Sequence, residues 1–210
     1  MINIPKNSAS IIVSPPLEGK KELMFQLIRR ALQDKEPVIF LLTDTSPEEI
    51  KKELLKSKIY YGAKKGLLNF IDCYSQQAGN DVSDTKDTRR ISGPLAFNEI
   101  SIALAQLEKD LFNTSKSHTI IFDSLSTILM YSNPQMAGRF LQILIAKIKN
   151  AGGSVLFTLE EGMHNKKDMI TIEHLMQAII HLKQKNNKIM IKAEGIKDME
   201  GWKEFKNQKP

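Results

Sequence analysis

The turn Ser14-Pro15-Pro16-Leu17-Glu18-Gly19-Lys20-Lys21 closes one apolar run and opens a segment with helical spacing. A strand, tight turn and helix in that order can aim backbone N–H groups and a helix N-terminus at one anion. Against the phosphate-loop pattern G-x-x-x-x-G-K-[ST], Gly19 and Lys20 fit, Ser14 stands in place of the first glycine, and Lys21 replaces the hydroxyl residue. A Gly-Lys pair at a helix start is also, more simply, a surface turn with a solvated lysine. The second candidate is His118-Thr119-Ile120-Ile121-Phe122-Asp123, an apolar strand ending in a carboxylate and followed by Ser124. Beside a phosphate loop, Asp123 would hold Mg²⁺ through water, provided that Mg²⁺ binds. A strand ending in Asp before a helix is also an ordinary N-cap.

These residues need a scaffold, and short apolar runs recur along the chain, separated by longer stretches of helical period. That alternation predicts an α/β domain whose parallel sheet is covered on both faces. The strand candidates are Ser10–Ser14, Pro37–Thr43, Leu67–Cys73, His118–Asp123 and Ser154–Glu160, with Ala178–Lys183 and Lys188–Ala193 forming an antiparallel hairpin about the polar turn Gln184–Asn187. Helices are expected at Lys20–Gln33, Pro47–Lys56, Phe97–Phe112 and Pro134–Asn150. Ser46 is the N-cap of the second, with Pro47 at its first position and Glu48 and Glu49 in its first turn. Apolar residues surround most of Pro134–Asn150, which makes that helix either deeply buried or partly an interface. Gln76–Gly93 is polar and reads as a surface loop. Trp202 and Phe205 are candidate anchors for a charged tail.

The chain of 210 residues suits one domain, with a core over about 8–195 and a tail over 196–210. Its 30 basic and 24 acidic residues give +6, but they are interspersed, so the basicity reads as a solvated surface rather than a nucleic-acid footprint. Cys73 alone excludes an internal disulfide, and its place at a strand end reads as a small buried residue. The four histidines show no metal-ligand spacing. With no long apolar run and no signal-like start, a cytoplasmic protein outside the membrane is expected.

Taken together, the turn Ser14–Lys21, the segment Pro37–Ile50, Asp123-Ser124-Leu125-Ser126, Ile172–Ile180 and Lys192-Ala193-Glu194-Gly195 resemble the KaiC-like branch of the RecA superfamily over about residues 8–208. The resemblance implies a RecA-like P-loop fold, ATP binding, and rings or filaments in which a neighbouring subunit completes each site. It puts Lys20 on the phosphate-binding lysine, Asp123 on the magnesium carboxylate, and Asp44 where a glutamate usually activates water. Asp44 is thus a candidate base with a shorter arm.

Several positions depart from that pattern. Lys21 removes the magnesium hydroxyl, Leu17 replaces a glycine, Glu18 adds a negative charge, the paired glutamates become Asp44-Thr45, and Glu194 stands where an arginine would reach a neighbour's phosphate. Two like charges ~4 Å apart cost about 4 kcal/mol at an effective dielectric near 20, so Glu18 alone would oppose polyphosphate. ATP and Mg²⁺ binding is therefore expected to be weak or absent, and the expected role is regulatory or structural, through protein partners or self-assembly. The alternatives are an ATPase completed by a partner, or a mediator binding DNA through Arg89 and Arg90. The same geometry suggests that the Lys21 ammonium pairs with Asp123 where the metal would sit. Glu160, Glu161 and His164 either line the same cleft or form a polar turn.

Overall fold

The computed structural model describes residues 2–16, 19–59, 66–112 and 115–205. Leu17 and Glu18, both singled out in the sequence, lie outside them. Among the described residues nine strands form one sheet, β1 (Ala9–Ser14), β2 (Val38–Leu42), β3 (Leu68–Asp72), β4 (Thr88–Arg90), β5 (His118–Asp123), β6 (Gly153–Glu160), β7 (Ala178–Lys185), β8 (Lys188–Glu194) and β9 (Lys203–Glu204), in the order β4-β3-β2-β5-β6-β1-β7-β8-β9. Pairings from β4 through β7 are all parallel, and those of β7 with β8 and β8 with β9 are antiparallel. The strands of the central region are apolar on both faces because helices cover both.

Helices α1 (Lys20–Gln33) and α2 (Pro47–Lys56) cover one face, and α3 (Phe97–Phe112), α4 (Leu125–Tyr131), α5 (Pro134–Asn150) and α6 (Lys166–Glu173) the other. Strand alternation divides the core cleanly. Ile11, Ile39, Ile120 and Val155 face α3 to α6, while their neighbours Ile12, Phe40, Ile121 and Leu156 face α1 and α2.

Local chemistry fixes the helix ends. The Ser46 hydroxyl accepts the Glu49 N–H at 3.2 Å, which satisfies one donor of the first turn of α2, and Pro47 follows at the first position. Helix α5 starts on the Asn133 side chain and ends before Gly152, whose φ of 79° and closeness to the Lys116 carbonyl (2.6 Å from a would-be Cβ) both require glycine. Of α5, Phe140, Leu141, Leu144 and Ile148 are buried, while Met136 and Ile143 are exposed.

The hairpin between β7 and β8 closes on Asn186-Asn187, both with positive φ, as a two-residue turn between twisted strands needs. Beyond β8 the chain returns to the sheet. The Phe205 N–H donates to the Ile189 carbonyl at 2.7 Å, and Lys183 Nζ lies 3.8 Å from the centre of the Trp202 ring. Among the described residues no helix is long and apolar enough to cross a membrane.

The segment Gln76–Gly93 is not wholly a loop. Its end forms β4 at the sheet edge, where Arg90 enters a buried polar network. Arg90 pairs with Asp72, whose side chain is fully buried, and with Glu48 on α2 at 2.6 Å. Asp72 also accepts the N–H groups of Tyr74 and Ser75 at 2.9 and 3.0 Å, so its charge is well satisfied.

Candidate functional site

The C-terminal ends of β1, β6, β5 and β2 lie side by side beneath the N-terminus of α1. In open α/β sheets this edge is where ligands bind. Gly19 immediately precedes α1 with φ of 69°, the left-handed region that favours glycine. Its α-carbon is also crowded by Ile189 near the tip of the β7–β8 hairpin, which would lie 2.8 Å from an added Cβ. The turn is thereby held from the side by the C-terminal hairpin.

Lys20 reaches back over the sheet. Its Nζ lies 3.3 Å from Asp123 Oδ1 and 3.1 Å from Glu160 Oε1. Burial tends to lower the Lys20 pKa, but Asp123 and Glu160, with Asp44 adding, outweigh it and hold the ammonium above its ordinary value. Asp123 is buried and also accepts a hydrogen bond from the Thr158 hydroxyl of β6. The Glu160 N–H donates to Ser126 Oγ at 2.9 Å, and the Ser126 N–H to Ser124 Oγ at 3.0 Å, which fixes the start of α4 to the end of β6. Thr43 Oγ1 donates to the Ser124 carbonyl at 3.0 Å and accepts its N–H at 2.8 Å, tying β2 to the same corner. The Asp123-Ser124 peptide bond within it is cis.

Asp44, two residues beyond the end of β2, is exposed. Its carboxyl is pushed up to about 6, first by crowding from the surrounding protein and then by the charge of Asp123, with Lys20 opposing and Glu160 adding. Because Asp44 is exposed, solvent damps this upward shift. His164, after β6, is half-buried with its pKa lowered by burial, while Asp168 and Glu160 act in the opposite sense.

The expected ion pair between Lys21 and Asp123 is not formed. Successive helix residues are turned by roughly 100°, so Lys20 and Lys21 cannot both face the sheet. Lys20 takes the inward place, and Lys21 points to α2, where it pairs with Glu53 with half of its side chain exposed. Ser14 is fully buried at the end of β1, and its hydroxyl has no hydrogen-bond partner among the described residues. Glu194 is elsewhere. It pairs with Lys192 at 2.8 Å and lies opposite Ile179 near the start of β7, away from the edge that carries Lys20. Arg90 lies on the same sheet edge as Asp123, three strands along, and both arginines are engaged, Arg90 with Asp72 and Glu48 and Arg89 with the Thr85 carbonyl at 3.1 Å. Cys73 is buried with its thiol pushed up by burial, as an inert packing residue would be.

Sequence reasoning missed the part of Thr158, which no motif marks, and weighed Glu160 only as a cleft edge. Parallel register was the usable signal, because β5 and β6 side by side place alternate residues of both strands on one face.

Residues 9–182 match the model of a protein family described as a family of unknown function, DUF7504. The chain belongs to that family. No curated protein matches the sequence of this DUF7504 member. Among solved structures it resembles the KaiC-like protein PH0186 from the hyperthermophilic archaeon Pyrococcus horikoshii OT3, with a TM-score of 0.68 and 13% identity over 97% of this chain and 88% of that one. At that identity the likeness concerns the fold alone: the DUF7504 chain has the α/β fold, with its mostly parallel sheet, of that KaiC-like protein.

Proposed function

We propose that this DUF7504 chain is a regulatory or assembly component built on a RecA-like fold, a pseudo-ATPase that acts through protein contacts and makes little use of Mg-ATP. The observation that carries this reading is the double ion pair of Lys20 with Asp123 and Glu160, at 3.3 and 3.1 Å. A triphosphate would have to draw the lysine away from two carboxylates, and both would then repel it. The residues present do not fit a magnesium ion. Lys21 stands in place of the hydroxyl and points to Glu53, and Asp123 is engaged by Lys20 and Thr158. The exposed Met136 and Ile143 of α5, with Tyr131 at the end of α4, support a role in protein contact.

The test is equilibrium binding of a labelled ATP analogue to the native chain and to Lys20→Ala, with and without Mg²⁺. Absence of magnesium-dependent micromolar binding supports the reading. Such binding, abolished in Lys20→Ala, overturns it. If nothing binds, Lys21→Thr with Glu18→Ser tests whether those two positions are the cause.

One observation favours a second reading, an ATPase using Lys20, Asp44 and Asp123 and completed by a partner. The raised Asp44 carboxyl, near 6, suits a general base. Nucleotide turnover by the native chain that is lost in Asp44→Asn would select it. The engagement of Arg89 and Arg90 with protein groups weighs against the DNA-mediator alternative.

A further inference from the structure

Residues of one parity on adjacent parallel strands share a face. Ile12, Leu156 and Ile121 belong to the core beneath α1 and α2, so Ser14, Thr158, Glu160 and Asp123 turn to that same side. There they meet Lys20, and electrostatics link them to Asp44. The cluster thus sets one cation against three carboxylates. Lys20 serves Asp123 and Glu160 directly, whereas Asp44 is in no ion pair of its own among the described residues. Anions are disfavoured by this excess, and a metal ion is a poor match as well. No group of three or more His, Cys, Asp or Glu among the described residues is arranged to hold one.

Ser14 adds an independent observation. It is fully buried, it is the register partner of Glu160, and its hydroxyl oxygen has no hydrogen-bond partner among the described residues. An N–H donor delivered to this edge would answer both the negative excess and the unpaired oxygen.

We infer that the acidic cluster of Asp44, Glu160 and Asp123, with the unpaired Ser14 hydroxyl buried beneath it, takes a cationic nitrogen group, an alkylammonium or guanidinium, rather than a phosphate. The inference rests on the reading that Mg-ATP is not the ligand of this edge. Lys20 stays in place beneath, and the incoming cation meets the Asp44 carboxylate and the outer side of Glu160. The same chemistry is offered by a free polyamine and by a basic side chain on a partner protein.

Two probes separate these sources. Spermidine and a peptide of alternating Arg and Gly are titrated calorimetrically at low ionic strength into the native chain, Asp44→Asn, Glu160→Gln and Glu200→Gln. Glu200 is exposed and outside the cluster, so it controls for diffuse attraction. Binding of at least one probe is expected, weakened about tenfold by Asp44→Asn and by Glu160→Gln and unchanged in Glu200→Gln. The probe that binds identifies the source. Absence of binding by both probes, or equal binding to all four proteins, overturns the inference. Melting curves confirm that each variant is folded. Titrating Mg-ATP in parallel keeps the two readings apart, because nucleotide binding bears on the pseudo-ATPase reading and the basic probes on this one.

Discussion

Ile189, near the tip of the C-terminal hairpin, packs against Gly19 so closely that a Cβ added there would lie 2.8 Å from its side chain. The hairpin and the helix-start turn are thus one packed unit, although 170 residues separate them in the chain. Gly19→Ala must accept both the left-handed φ of 69° and this contact. A loss of about 1–3 kcal/mol in unfolding free energy is expected, measured by denaturant titration. Pairing it with Ile189→Ala, which removes the contact, should recover part of the loss, leaving the backbone strain alone.

Lys20 and Lys21 are adjacent but placed in opposite settings. Lys20→Met leaves Asp123 and Glu160 without their cation and should cost about 2–4 kcal/mol at pH 7, with a melting temperature about 5–10 °C lower. Lys21→Met removes a half-exposed pair and should cost less than about 1 kcal/mol. The pH dependence has a definite sign. Because the Lys20 pKa is raised in the folded state, its contribution is fully present below the ordinary value of 10.5 and is lost as pH rises through the folded value. Lys20→Met should lack this alkaline dependence. Thermal melts at several pH values check both statements.

Asp44 acts in the same sense, at lower pH. Its folded pKa, about 6, exceeds the ordinary 3.8, so the folded state binds the proton more tightly and stability falls as pH rises between those values. Asp44→Asn removes this dependence. It should be more stable than the native chain at pH 7, by no more than about 1 kcal/mol given the exposure of the carboxyl to water, and the difference should vanish below the lower value.

Arg90→Ala leaves the fully buried Asp72 uncompensated and should cost about 3–5 kcal/mol, lowering the melting temperature by roughly 10 °C. Arg89→Ala, one residue away, should change stability by less than about 1 kcal/mol. Parallel scanning calorimetry of the two variants separates a structural arginine from a surface one.

Period and capping made most of this fold legible. Four helices have the boundaries that spacing implies, and the Ser46 cap, the hairpin and the parallel strands follow from residue types. Strand β4 was not legible, because Arg89 and Arg90 carry no strand pattern and are placed by Asp72, Glu48 and Thr85, residues distant or unremarkable in sequence. The short helices α4 and α6 were missed for a related reason. Seven and eight residues are too few to establish a helical period, and α6 buries only Ile172. Within the site, Lys20 and Asp123 were recognisable from motif position. Which of two adjacent lysines faces Asp123 was not, since that depends on the rotation of α1 set by Leu23, Met24 and Ile28 in the core. Glu160 and Thr158 join the cluster only through the pairing of β6 between β5 and β1.

The most direct test asks whether nucleotide stabilises the folded chain. A ligand that binds only the folded state raises unfolding free energy by RT ln(1 + [L]/Kd), so a micromolar site at about 1 mM nucleotide would add about 4 kcal/mol, roughly 10 °C in melting temperature. With Lys20 held by Asp123 and Glu160, the melting temperature at pH 7 should be the same, within error, with Mg-ATP, with Mg²⁺ alone and with neither. A rise of about 10 °C that requires Mg²⁺ and disappears in Lys20→Ala would contradict it.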